Sequence, residues 1–398
     1  MKRIFFFILL ILSFSSLNSE EFKFKYSVGE RARVECVING KQFVNGAFFL
    51  SYLQEYKTVS CVKLFENSVA TINESYFYYN KNSLADSEVR ELKEDIEVSY
   101  LKDIQGRMTA NNASVLPTLR NIPFFPEKDI KINEKWVSSG YEIQDLFGDK
   151  NNSIFPIEVD YIFLGYEEIN GKKIAKINYK YDIDIKNSSQ FQIDKRILSI
   201  NGESDTILYF DNELGFRVKE IYKRDYVFEI IDGQSVKYVE FVDSGERNWY
   251  PVELMKKDDI VNDIKKDLED NHIEDNEISK DEKGIKISLE NIMFEPNSAH
   301  LLASEKERLN KISEILKKYK DRGVLVEGHT TDKGSEAGRQ KLSLERAKSV
   351  VDFLIGKDAI DQEKSSYTGK GGSEPVAPND AEEGMKKNRR VEIFILEE

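Results

Sequence analysis

Between residues 20 and 255 apolar and polar positions alternate with a period of two. The clearest stretch is 174–185. Ile177, Tyr179, Tyr181, Ile183 and Ile185 fall on one side, and Lys176, Asn178, Lys180, Asp182 and Asp184 on the other. Strict alternation predicts a strand with one buried face. Asn170-Gly171 lies just before it, preceded by the apolar run Tyr161–Leu164. That order predicts a hairpin with a two-residue turn. A second hairpin is expected at Asp211–Gly215, and the three prolines of Pro117–Pro126 predict an extended, ordered connection. Ser83–Tyr100 fits helix and strand equally well. The N-terminal region is therefore expected to be all-β, a sandwich or half-barrel. A lipid-facing strand needs a charge-free face over about 9–11 residues. Val218–Ile231 has Glu220 and Arg224 on one face and Lys219, Lys223, Asp225 and Glu229 on the other. A soluble unit is expected rather than a membrane barrel, with its aromatic residues forming core.

The period changes after residue 255. Ile260, Val261, Ile264 and Leu268 predict a short amphipathic helix, followed by a hairpin around Asp281–Gly284. From 284 to 398 strand-like and helix-like stretches alternate: 285–294, helix, 324–328, helix, 365–369, an irregular segment, 389–396. Ser304 and Glu307 have the spacing of a capping box for the first helix. Leu309, Ile312, Leu316 and Tyr319 give its core stripe. The second helix carries Leu344, Ala347, Val350, Val351 and Leu354 and ends at Gly356. The expected class is α+β multidomain, with a C-terminal α/β sandwich of βαβαββ type, its helices on one face of a mixed sheet. The expected divisions are 1–19, 20–255, a charged helical connector 256–283, and 284–398. Residues 256–398 are expected to fold alone.

Charge and cysteine usage narrow the partners. The formal net charge is −13, yet 284–398 is nearly balanced, with 20 Lys/Arg against 21 Asp/Glu. The acidity precedes the C-terminal module, and it argues against nucleic acid, which requires a basic face. Met1-Lys2-Arg3, the apolar run Ile4–Leu12 and the small polar stretch Ser13–Ser19 read as a secretory signal peptide, cleaved after Ser19. The expected location is the periplasm, with outer-membrane association as an extension of it. No transmembrane helix is expected. In an oxidising compartment, Cys36 and Cys61 are expected to form a disulfide whose loop of about 25 residues contributes roughly 3 kcal/mol; two free thiols are the alternative. No Ser/His/Asp or Cys/His arrangement stands out, and the three histidines do not cluster. No enzyme, metal or cofactor is expected. A cell-wall-acting enzyme in the N-terminal region is the less favoured alternative.

Residues 328–347, GHTTDKGSEAGRQKLSLERA, concentrate the functional signal. A strand runs into a loop rich in hydroxyls, an Asp and backbone amides. The following helix carries Leu342, Arg346 and Val350 near one face. This suits capture of a small charged group. Together with Ile292–Ala299, Thr368–Pro375 and Asn388–Ile393, the segment resembles the OmpA-like peptidoglycan-binding domain over 284–398. The resemblance implies a non-catalytic envelope protein that clasps the diamino acid of the peptidoglycan stem peptide. Carried over residue by residue, Arg346 meets the ligand carboxylate, and Arg389 and Glu295 occupy two further contact positions. The motif's Asp falls on Thr331, with Asp332 one place later, and its Asn falls on Arg339. Three readings stay open. Asp332 reaches the ligand amine by another path, or the pocket takes a different diamino acid, or this copy has lost binding and serves as a protein-binding scaffold. An envelope protein is the expected partner of the N-terminal domain.

Overall fold

The structure is a computed structural model and describes residues 19–80, 89–111, 113–295 and 298–397. The expected signal peptide, apart from Ser19, lies outside the described residues. So do 83–88 of the ambiguous Ser83–Tyr100 stretch; from residue 90 on, that stretch belongs to the strand Arg90–Asp103. Among the described residues no helix is long and apolar enough to cross a membrane.

Ten long strands form the N-terminal sheet. Lys135–Gln144, Ser153–Ile169, Lys172–Lys186, Ile197–Asp211, Phe216–Asp232 and Ser235–Pro251 run as an antiparallel meander. The last of these pairs with Arg31–Val44, which leads on to Ala47–Glu66, Val69–Asn80 and Arg90–Asp103. The expected hairpin is present: Ile169 pairs with Lys172, and Asn170 and Gly171 both have positive φ, 52° and 76°, as a type I′ turn requires. Asp211 pairs with Phe216 across the second turn. Ile177, Tyr179, Tyr181 and Ile183 are all buried.

The sheet is rolled. Glu142 and Arg224 stand four strands apart, about 19 Å on a flat sheet, yet Arg224 Nη1 donates to Glu142 Oε1 at 3.2 Å. Tyr226 also donates to Glu142, at 2.5 Å. The charges of Phe216–Asp232 follow the alternation: Glu220 is buried inside the roll with Tyr222, Tyr226 and Phe228. The proline-rich connection packs into the roll through Ile122 and Phe125, and Trp136 Nε1 donates to the Phe124 carbonyl at 2.9 Å.

Cys36 and Cys61 are free thiols, so the expected disulfide is not formed. The register explains this. Cys61 pairs with Arg31 and Cys36 with Tyr56. The thiols are thus five residues out of register, roughly 17 Å of strand, and an odd offset puts them on opposite faces. A disulfide needs Cα atoms within about 7 Å.

The C-terminal part begins with the helix Lys257–Asp270 and the hairpin Asn276–Lys280/Gly284–Leu289. The sheet continues in the order Gly284–Leu289, Val391–Leu396, Val324–His329, Ser365–Gly371, with only the last pair parallel. Helices Lys257–Asp270, Ala303–Leu316 and Glu336–Gly356 bury Ile264, Leu268, Ile312, Val350 and Leu354 on Ile285, Ile287, Val326 and Ile393. The lead-in helix therefore belongs to this core. The segment expected to be irregular contains the short helix Glu382–Asn388. The capping-box expectation is wrong. The first helix starts at Ala303 with Leu302 as N-cap and no side-chain cap. Ser304 is already inside the first turn, where buried Glu305 lies 3.6 Å from Arg308. Val324–His329 and Val391–Leu396 are buried at every position, as strands covered on both faces must be.

Candidate functional site

Two glycines bring the Glu336–Gly356 helix down onto the sheet. A Cβ on Gly328 would stand 2.2 Å from the Ser343 carbonyl oxygen, and one on Gly369 would stand 2.5 Å from the Leu344 nitrogen. Only glycine permits so close an approach. Ser343 then joins the helix to the strand end: its hydroxyl accepts from Gly371 N at 2.9 Å and donates to the Gln340 carbonyl. The helix starts at Ser335, whose Oγ accepts from Gly338 N at 3.2 Å.

Arg346 projects from the middle of this helix. Its Nε donates to the Ser298 carbonyl at 3.2 Å, and its guanidinium sits 4.8 Å over the Phe294 ring. Among the described residues it makes no ion pair. Burial, and then the charge of Arg389, holds its pKa below the ordinary value. Two cations thus converge where Phe294 and Ser298 meet the helix. Arg389 is half-buried and paired with the exposed Glu382. Glu295 is on the rim, exposed, with Oε2 3.4 Å from His300 Nδ1.

The 330–335 loop forms the other side. Thr331 is buried, and its Oγ1 accepts from Lys333 N at 3.4 Å. Asp332 is exposed, and its carboxylate lies 3.9 Å from Lys333 Nζ. Arg339 does not stand free: Nη1 donates to the carbonyls of Asp332 at 3.0 Å and Gly334 at 2.7 Å, lacing the loop shut. It lies two helical turns from Arg346, roughly 10.5 Å along the axis. The structure therefore brings Arg346, Arg389 and the Glu295 turn together. Arg339 is tied to the loop through Nη1, while its buried Nε makes no hydrogen bond among the described residues.

Three contributors escaped sequence reasoning. Asn388 is fully buried, and its amide makes four hydrogen bonds to Val376, Ala377 and Asn379, fixing the chain just before Arg389. Arg390 donates to Glu392 at 2.7 Å and to the Glu374 carbonyl at 3.1 Å. Glu392 also faces the His329 ring at 3.7 Å. Their signal was the Asn-Arg-Arg-Val-Glu run, whose alternation predicts a strand but not which charges turn inward. Glu327, His329 and Glu374 offer ligand atoms within 4.8 Å of one another. Lys283 and Lys370 already lie 3.3 and 3.9 Å from Glu327, so the cluster is charge-compensated without a metal.

The OmpA family matches residues 293–389. The peptidoglycan-binding protein ArfA of Mycobacterium tuberculosis is 36% identical over 104 residues, covering 26% of this chain and 32% of that protein. Outer membrane porin F of Pseudomonas aeruginosa is 37% identical over 87 residues, 22% of this chain and 25% of the porin. Among solved structures, an outer membrane protein from Borrelia burgdorferi B31 shares 35% identity over 30% of this chain and 96% of its own, with a TM-score of 0.26. The chain spans about a third of the length of ArfA. The matched stretch contains Phe294, Arg346 and Arg389, and residues 293–389 of this chain are an OmpA family domain.

Proposed function

We propose that the protein is a non-catalytic anchor in the periplasm that holds peptidoglycan through its OmpA family domain, with the stem-peptide diamino acid as ligand. The observation that carries this is Arg346: helix-borne, half-buried, backed by Phe294, beside a second cation and, among the described residues, without a carboxylate of its own. A guanidinium in that state accepts an incoming carboxylate in a bidentate fork. Arg389 adds charge at the same point, and Glu295 on the rim is placed for the ligand amine. Arg339 acts indirectly, by shaping the Thr331–Gly334 loop.

Retention on purified sacculi tests the reading. Wild-type protein is expected to be retained. Arg346→Ala should lose about 2–5 kcal/mol of binding, with melting unchanged within about 1 kcal/mol of stability. Retention that survives Arg346→Ala rejects this site. A second reading, a scaffold whose OmpA family domain grips protein instead, is favoured by one observation: Thr331 supplies a buried hydroxyl where the motif has Asp, and Asp332 is exposed. Thr331→Asp separates the two. It should tighten retention if the pocket holds a diamino acid. A wild type and a Thr331→Asp variant that both ignore sacculi favour the scaffold.

A further inference from the structure

We propose that the N-terminal roll encloses a second binding site, for a small organic anion with a flat ring body whose charge is met by Lys102 and Arg217. The cavity measures about 260 Å³ and shares no lining residue with the Arg346 site. Tyr56, Tyr76, Tyr100, Tyr179, Tyr222 and Trp249 give it an aromatic wall, a surface that stacks on a ring. Cavities that stay empty are apolar. This one is lined by Lys102, Arg217 and Arg247 against Glu74 and Glu220, while Arg224, also on the wall, is taken by Glu142 and Asp243.

Glu74 is occupied, whereas Glu220 is hydrogen-bonded through one oxygen only, its Oε1 having no hydrogen-bond partner among the described residues. Glu74 accepts from Thr58 at 2.7 Å, Tyr76 at 3.0 Å and Tyr100 at 2.9 Å. Glu220 accepts from Arg247 at 3.1 Å. Lys102 has no such partner. It is 4% exposed, its ammonium lies 3.8 Å over the Phe24 ring, and among the described residues that ammonium makes no hydrogen bond or ion pair. Arg217 stacks 4.4 Å over Trp249 and stands 3.8 Å from Glu220, too far for a hydrogen bond. Glu74, Glu220 and Asp103 act on this ammonium only through space, and an anion between Lys102 and Arg217 supplies a hydrogen-bonded counter-charge. Lys102 and Arg217 also line an adjoining pocket of about 80 Å³, where Lys25 and Arg31 stand with Glu30 and Glu74, an approach in which cations outnumber acids.

Burial, and next the charge of Arg217, holds Lys102 well below its ordinary pKa, while Glu74, Glu220 and Asp103 oppose the shift. Anion entry near neutral pH is therefore accompanied by proton uptake at Lys102.

The test is calorimetric titration of the full chain with phenyl phosphate, in two buffers of different ionisation heat. The expected result is saturable one-to-one binding with buffer-dependent heat that reports proton uptake. Inorganic phosphate, which lacks the ring, should bind about tenfold or more weakly. Lys102→Met and Arg217→Gln should each weaken phenyl phosphate about tenfold or more and leave sacculus retention unchanged. If Lys102→Met does not fold, Arg217→Gln and the buffer dependence decide. No saturable binding of phenyl phosphate up to about 10 mM overturns the proposal, as does binding that both variants retain.

Discussion

Glu392 ties together the charged layer beneath the site. Burial by itself would raise its pKa, but His329 and Arg390 overcome that and bring it from 4.5 to about 2. A carboxyl depressed on folding stabilises the fold fully above its unfolded value, and the contribution fades as pH falls from about 4.5 towards 2. The shift corresponds to about 3 kcal/mol. Glu392→Gln should therefore lower the melting temperature most above pH 4.5, with the gap to wild type narrowing in acid. A gap that does not change with pH would mean that packing, not charge, is what Glu392 contributes. The cysteines offer a second residue-level check. Cys36 is 1% exposed and burial raises its thiol pKa, whereas Cys61 is half-exposed. Native protein should alkylate at Cys61 first, and unreduced, denatured protein should yield two alkylated thiols. Mass spectrometry finding a disulfide instead would contradict the strand register.

At the scale of elements, the closeness of helix and strand at the site depends on two missing side chains. Gly328→Ala pushes a methyl into the Ser343 carbonyl and should cost about 1–3 kcal/mol by overpacking, with sacculus retention falling as the helix lifts. Gly356→Ala is the matched control. Its Cβ would meet nothing within 4 Å, so it should be neutral or stabilising by up to about 1 kcal/mol. Equal melting of both variants would refute the close-packing account. Much at this scale was legible in the chain. Alternation placed Ile177–Ile183 inward, Asn170-Gly171 announced its turn, and the GHT-to-RA segment put Arg346 on a helix beside a loop. What was not legible has physical causes. Backbone carbonyls have no residue identity, so nothing in the chain told that Arg339 would be consumed by Asp332 and Gly334. Inward charges such as Glu220 and Arg224 look in a sequence like surface charges, because only the curl of the sheet brings their partners close. Cysteine spacing says nothing about register.

Across the whole molecule the two parts are joined more intimately than a connector helix suggests. Leu325, Phe394 and Leu396, on the sheet face opposite the helices, pack with Phe77 and Leu92. Asp95 lies 2.9 Å from Lys283 and 3.2 Å from Lys370. Arg31 and Lys257 both pair with buried Glu397. Ser366 and Tyr367 pair in parallel with Arg90 and Glu91, so one hydrogen-bonded sheet crosses the boundary. The apolar run Val324-Leu325-Val326 implied burial on both faces but could not say what lay across from Leu325. The full chain should unfold in one calorimetric transition, and Leu92→Asp combined with Asp95→Ala should split it in two. Two transitions in wild type would contradict this coupling. Residues 256–398 alone should still acquire helix by circular dichroism but self-associate through the uncovered Leu325, Phe394 and Leu396 strip.

That shared strand pairing also sets a length. A domain on a floppy leash samples a sphere of positions whose radius depends on the number of linker residues. Here the parallel pairing of Ser366 and Tyr367 with Arg90 and Glu91 removes the leash. A copy whose Arg346 grips the wall holds the N-terminal roll at one distance and one bearing from it. Whatever meets the roll is met at a fixed height, as by a gauge block rather than a rope.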